Sequence, residues 1–210
     1  FFHGKKDDGP DVAKHIDDFM RSLPKISKVV TASTILEKRL IEWGVHPDKL
    51  VTIPIGGDSK LFYFPAKSEK ATARKRFGIK PNSVVVGSFQ KDGVGWGDGL
   101  VPKLIKGPDI LVEALANLKN SGIPVLAFLT GPARGYVKKQ LESLGIPFIH
   151  EYLETHADLV SCYHTLDLYL VSSREEGGPM GLIESMASGV PVVSTPVGMG
   201  PDLIKNKVNG

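Results

Sequence analysis

Asp167-Leu-Tyr-Leu-Val-Ser-Ser-Arg-Glu-Glu-Gly-Gly-Pro-Met-Gly-Leu-Ile-Glu-Ser-Met-Ala-Ser-Gly-Val-Pro-Val-Val-Ser194 contains one complete β-α-β unit. The apolar run after Asp167 reads as a strand to Ser172, and a Gly-Gly turn follows it. Pro179 opens a helix and Gly189 closes it. Val190 to Ser194 is β-rich again and reads as the next strand. Two strands joined by a helix run parallel, because only a crossover of this length can bring the chain back to the same edge.

The same alternation extends upstream. Ser83-Val-Val-Val-Gly-Ser88 reads as a strand and Pro108 to Leu118 as a helix. Pro124 to Thr130 (strand), Ala133 to Leu144 (helix), Pro147 to His150 (strand) and His156 to Thr165 (helix) continue it, and a short helix near Pro201 closes it. Repeated βα units predict a parallel α/β sheet of Rossmann-like type with helices on both faces, and strands buried on both sides explain the unbroken apolar runs. Ahead of this lies a smaller βα piece. Pro10 opens a helix whose Val12, Ile16, Phe19, Met20 and Leu23 keep helical spacing. Lys28 to Ala32 reads as a strand, Ser33 caps a helix from Thr34 to Trp43 that Gly44 ends, and Leu50 to Pro54 is a second strand. Ile55-Gly-Gly-Asp58 punctuates the chain, so the expected division is residues 1–56 and residues 57–210, with a helix near 68–77 opening the second part.

Composition narrows the function. The 210 residues are 41% hydrophobic and 23% charged, which excludes disorder and fibrous folds. A net charge of +3, from 26 basic and 23 acidic residues, is too mild for a phosphate-backbone binder, so nucleic acid is not an expected partner. The single cysteine, Cys162, cannot form an internal disulfide or a cysteine-based zinc site, and no metal-binding motif or nucleophile elbow occurs. It reads as a reduced, buried thiol. No apolar run is long enough to cross a bilayer.

Chemistry is expected where strands end and helices begin. Ligands of open α/β sheets bind outside the carboxyl ends of the strands. There Gly177 and Gly178 let a ligand approach the backbone, and the unpaired N–H groups at the start of the helix, around Pro179, Met180 and Gly181, attract an anion such as phosphate. Glu176 lies in the turn. Glu184, about one and a half turns into the helix, is suited to accepting two sugar hydroxyl protons. Taken singly, each glutamate reads as an exposed surface acid, the usual state of that residue. A second Gly-rich stretch, Phe89 to Gly107, fits neither the Walker nor the dinucleotide fingerprint. It carries Lys91, Lys103 and Lys106 near the same sheet edge, where they could neutralise a diphosphate. His150, His156 and His164 carry no assignment.

Together these residues resemble the retaining glycosyltransferases of the GT-B fold, group 1 (family 4). The carrying match is Glu176-x7-Glu184 within Ser-x-x-Glu-Gly-Gly-Pro-x4-Glu-x-Met-Ala-x-Gly-Val-Pro-Val-Val, followed by Thr195-Pro-Val-Gly198. Lys106-Gly107, Thr130-Gly-Pro132 and the run from Val30 through Ile53-Pro-x-Gly-x-Asp58 support it, so the likeness spans nearly the whole chain. The resemblance implies two Rossmann-like domains, a nucleoside-diphosphate-sugar donor held mainly by the second, and metal-independent transfer with retention at the anomeric carbon. No cofactor is implied. It also implies that Glu184 holds the ribose, that Glu176 and the amides after it contact the transferred sugar, that Lys106 binds the diphosphate, and that His3 reaches the donor sugar.

Two departures stand out. Gly87 matches the glycine of the family's first donor-domain strand and is expected at the donor, but Ser88 stands where the family has Arg directly after it, and a long insertion separates that point from Lys106. Lys91 is the available substitute. The chain starts at Phe1 without methionine and stops at Gly210, so it is expected to be a stretch of a longer protein, covering the end of the N-terminal acceptor domain and most of the donor domain. The acceptor, whether a sugar, a lipid or a small molecule, is left open. A cytoplasmic location is expected, with any peripheral membrane contact made through the N-terminal half. Alternative readings are a GT-B sugar-nucleotide epimerase or phosphorylase, and a non-catalytic nucleotide-sugar-binding module.

Overall fold

The computed structural model describes residues 4–210. The chain divides into two compact units. The first comprises residues 4–55 with Glu175–Pro179 and Pro196–Leu203, and the second comprises Gly56–Arg174, Met180–Thr195 and Ile204–Gly210. Neither unit is a single stretch of sequence.

In the first unit, Pro10 at the first helical position opens α1 (Pro10–Ser22), and Ile16 is fully buried from its apolar stripe. Strand β1 (Val29–Thr31) leads through Ser33 into α2 (Thr34–Glu42) and on to β2 (Leu50–Thr52). The Ser33 hydroxyl accepts from the Leu36 amide at 3.4 Å, and Gly44 leaves the helix at φ +101°. Strands β1 and β2 pair in parallel, Val29 opposite Leu50 and Thr31 opposite Thr52. The short helix α8 (Gly200–Leu203) brings Asp202 to the start of α2, where its carboxylate accepts from the Thr34 amide at 2.9 Å and from the Thr34 hydroxyl.

The second unit is built on five parallel strands. In chain order it contains α3 (Lys67–Arg76), β3 (Val84–Phe89), α4 (Pro108–Asn120), β4 (Val125–Thr130), α5 (Gly135–Ser143), β5 (Phe148–Glu151), α6 (Leu159–Tyr163), β6 (Leu168–Val171), α7 (Met180–Ala187) and β7 (Val192–Ser194). The strand order is β5-β4-β3-β6-β7. Ala127 and Leu129 of β4 enter one core with Val86, Leu111, Leu115, Val137 and Leu141. Phe128, between them, points to the other face and meets Phe77 and Phe89 edge-on at 5.0 and 5.9 Å between ring centres. Both faces of the sheet are therefore covered, as the unbroken apolar strands require.

Two local expectations need correction. Residues 156–165 do not form one helix: a 3-10 turn (His156–Asp158) precedes the five-residue α6. Thr155 and Asp158 cap each other through the Thr155 amide and hydroxyl, each 2.9 Å from the Asp158 carboxylate, and this local bonding competes with a longer helix. The charged run Lys67 to Arg76, which by composition alone reads as the solvated face of its helix, is also not wholly solvated. Lys70 and Arg74 both pair with Asp167, the residue before β6, and Asp167 further accepts from the Val85 amide at 2.9 Å.

Candidate functional site

The strand order fixes where a ligand of the second unit would sit. From the central β3 the chain moves out through β4 to β5, then returns to the other side of β3 with β6 and β7. Loops leaving β3 and β6 diverge at their carboxyl ends and open a crevice at that switch point. The segments that meet there are Gln90, Lys106-Gly107 and Ser172-Ser173. The main-chain oxygen of Lys106 accepts from Gln90 Nε2 at 3.0 Å and from Ser172 Oγ at 3.3 Å. Gly107 follows at φ +61°, and a Cβ there would lie 1.9 Å from the Ser172 carbonyl oxygen. Only glycine permits that approach. Arg174 closes the arrangement with donations to the Leu104 oxygen at 2.7 Å and to both Asp109 oxygens at 2.8 and 2.6 Å. The half-buried Lys106 thus starts from a backbone anchored on both sides of the switch point.

Glu184 is the fifth residue of α7 and only 3% exposed, which corrects its reading as an exposed helical acid. Its Oε2 accepts from the Tyr163 hydroxyl at 2.8 Å, and its Oε1 lies 2.7 Å from His156 Nε2. Tyr163 is fully buried among Phe62, Phe89 and Tyr169. Burial holds its phenol far above the usual range, so Tyr163 keeps its proton and donates. His156 is half exposed, with its ring edge-on to Phe62 at 5.2 Å. One oxygen of Glu184 is therefore fixed from the core and the other faces a partner that solvent can reach. Gly181 lets α7 sit against β6, since a Cβ there would fall 2.1 Å from the Tyr169 hydroxyl.

The remaining expected residues fall as follows. Gly87 lies mid-strand in β3, where the missing side chain makes room for Leu166, 2.3 Å from a Cβ position. Met180, the first residue of α7, is partly exposed. Lys91 places its ammonium 3.5 Å from the ring centre of Trp96. Glu176, Gly177, Gly178 and Pro179 belong to the first unit, where Gly178 packs on Ile55 and Met199 and Glu176 is half-buried. His3 lies outside the described residues. Among the described residues, no three His, Cys, Asp or Glu side chains gather where they could hold a metal ion, and no helix is long and apolar enough to cross a membrane.

Several residues were missed by sequence reasoning. Glu175, adjacent to Glu176, is buried and held by Arg39 at 2.9 and 3.2 Å and by Lys5, all within the first unit. Burial alone would raise its carboxyl, but those two cations bring it below the usual range. His156 and Tyr163 stand 28 and 21 residues from Glu184, so no local pattern announces them.

The insertion after β3 is a folded hairpin. Val94 donates to the Val101 oxygen at 2.9 Å and Lys103 to that of Asp92 at 2.8 Å, around a bridge between Gly93 and Pro102. Its tip offers the Asp98 and Gly99 oxygens to the first amides of α5, Gly135 at 2.7 Å and Tyr136 at 2.9 Å. Beneath it Arg134, fully buried, donates to the oxygens of Ser88, Gln90 and Thr130 at 2.7, 2.8 and 3.1 Å and sets its Nε 3.1 Å from the equally buried Asp92. Burial pushes the Asp92 carboxyl up and the Arg134 guanidinium down, and each charge opposes the shift of the other.

The family described as "Glycosyl transferases group 1" matches residues 100–210. The chain is 30% identical over 179 residues to a D-inositol 3-phosphate glycosyltransferase of Segniliparus rotundus, covering 80% of this chain and 36% of that protein. It is 29% identical over 156 residues to the lipopolysaccharide core biosynthesis mannosyltransferase LpsB of Rhizobium meliloti, covering 71% and 41%. Among solved structures, Alr3699/HepE of Anabaena in complex with UDP and glucose superposes with a TM-score of 0.71 at 26% identity, covering 88% of this chain and 48% of that one. The chain thus spans less than half the length of these relatives.

Proposed function

The chain belongs to the group 1 glycosyl transferases, and from that premise we propose that it forms the donor-binding part of a retaining, metal-independent enzyme. In this reading it takes a nucleoside-diphosphate sugar and passes the sugar to an acceptor in carbohydrate biosynthesis. The observation that carries the reading is the buried Glu184 carboxylate, oriented by Tyr163 beside the carboxyl ends of the strands. A carboxylate fixed from behind presents its remaining lone pairs to a diol such as ribose. The UDP and glucose bound by the Anabaena protein support a donor of this class.

The costliest moment of the reaction is departure of the nucleoside diphosphate, whose leaving oxygen gains negative charge. Lys106 and the first amides of α7 are the groups assigned to meet that charge, and the Lys106 backbone is set before substrate arrives, so little reorganisation is needed there. Lys91 is assigned as the substitute for the missing Arg. Glu176 and the amides of Gly177 and Gly178 are assigned to the transferred sugar, and His3 to the same sugar from the N-terminal part. The acceptor would be handled by the N-terminal acceptor domain, and the reaction is assigned to the cytoplasm.

Calorimetry with UDP-, GDP- and ADP-sugars, followed by transfer assays on the intact protein, tests the reading. One donor should bind; Lys106→Ala should cut transfer by about 100-fold, the scale of losing one group that stabilises developing charge, and Glu184→Ala should weaken donor binding by about 10- to 100-fold, the worth of a hydrogen bond to a charged group. Unchanged transfer in the first and unchanged donor binding in the second would remove the assignment. Donor rearrangement or release without an acceptor would instead indicate an epimerase or phosphorylase, and binding without turnover a binding module.

A further inference from the structure

The hairpin between β3 and α4 holds an unusual surface for a rigid segment. Val94, Trp96, Leu100, Val101 and Leu104 are each more than half exposed, and Trp96 stands 85% in solvent. Exposed apolar residues scattered singly need no explanation, but five within eleven residues do, four of them on the hairpin and Leu104 in the 3-10 turn that follows it. The element is also too well fixed to be a floppy loop. Gly93 and Gly99 lie so close to the Ala133 turn that a Cβ on either would fall 2.3 and 2.2 Å from the Ala133 oxygen. The tip is bonded to α5, and the buried Arg134–Asp92 pair anchors its base. Val94 and Val101 are paired across the hairpin, so their side chains are held near one another.

Charge accompanies the apolar residues. The Lys91 ammonium caps one face of the Trp96 ring, and Lys103 is exposed at the base of the hairpin. Tryptophan with branched aliphatic side chains and lysines at their margin is the composition of segments that lie in the headgroup zone of a bilayer, where rings and aliphatic groups enter the acyl boundary and ammonium groups stay with phosphate.

We propose that this hairpin docks on the surface of an anionic phospholipid bilayer, with Trp96 at the acyl boundary and the exposed Lys103 on lipid phosphates. Since the hairpin leaves the carboxyl end of β3, docking would hold that edge of the sheet beside the membrane. The proposal does not rest on the donor-site reading, because lipid binding is measured without substrate.

The test is co-sedimentation of the intact protein with phosphatidylcholine vesicles, with and without 30% phosphatidylglycerol, beside the variant Trp96→Ser/Val101→Ser. These side chains are exposed, so an unchanged circular dichroism spectrum and urea midpoint verify that the variant folds. The wild type should partition about tenfold better onto the anionic vesicles than the variant, on the order of 1.4 kcal/mol. Bromine-labelled acyl chains should quench a component of fluorescence that Trp96→Phe loses. Equal partitioning of wild type and variant would overturn the proposal. So would absence of that quenched component, or a variant that keeps vesicle binding while losing activity toward a soluble acceptor.

Discussion

Arg134→Met should destabilise the second unit severely. The guanidinium is fully buried and donates to three main-chain oxygens, those of Ser88, Gln90 and Thr130, and it is the counter-charge of Asp92. Methionine fills much of the volume but supplies neither donors nor charge. Removing one partner of a buried pair costs about 3–5 kcal/mol, because the other charge stays buried without compensation. Each carbonyl left without a donor adds about 1–3 kcal/mol unless water reaches it. The loss should therefore be at least about 3 kcal/mol, against a typical domain stability of about 5–15 kcal/mol. Urea unfolding followed by circular dichroism measures it. Asp92→Asn/Arg134→Met should recover about 1–3 kcal/mol of the deficit, since the stranded charge is gone. A loss under about 1 kcal/mol for the single variant, the range of a surface pair, would refute the reasoning. So would a double variant no better than the single one.

Tyr163→Phe deletes the buried hydroxyl that holds Glu184 and should cost about 1.5–3 kcal/mol, the value of a hydrogen bond to a charged group; part of this should appear as a raised donor KM in the intact enzyme with kcat changed less. Cys162, its thiol pushed up to about 12 by burial, should ignore an aromatic disulfide reagent at pH 8 until the chain unfolds, and prompt stoichiometric reaction of the folded chain would contradict its placement. Asp167 is raised by burial but brought below its ordinary 3.8 overall by the Val85 amide, Lys70 and Arg74. Its folded value is depressed, so its contribution is present above 3.8 and is lost as pH falls through the folded value. The stability gap between wild type and Asp167→Asn should therefore be constant from pH 7 to pH 5 and close below pH 4, and a gap that widens in acid would show the sign to be wrong.

How much could be read in advance depended on whether the cause was local. Val84–Phe89 and Val125–Thr130 were recognisable as strands because both their faces are buried and their runs are apolar apart from Ser88 and the closing Thr130. Pro10, Ser33 and Gly44 marked helix ends through backbone chemistry confined to a few residues. Lys106-Gly107 and the α7 start were legible for the same reason, as punctuation between a strand and a helix. Arg134 was not, since a charged residue after Thr130-Gly131-Pro132 looks solvated until β3, its hairpin and β4 close over it. Gly93 and Gly99 were visible as glycines, yet their need arises from the Ala133 turn, about 35 to 40 residues away in sequence. The partners of Glu184 depend on the packing of α6 and the turn before it against α7, which periodicity does not encode.

The interleaving of the two units bears on how this protein can be taken apart. A cut at Ile55, where the sequence shows its plainest punctuation, would yield a 56–210 piece that keeps Glu175–Pro179 and Pro196–Leu203 but not the rest of the unit they fold with. Val197 and Met199 would lose their cover, and Glu175 would keep its charge without Arg39 or Lys5. Such a piece should be sticky and prone to proteolysis within those two segments. A soluble minimal donor unit would have to be resurfaced at Glu175, Val197 and Met199, or expressed together with residues 4–55.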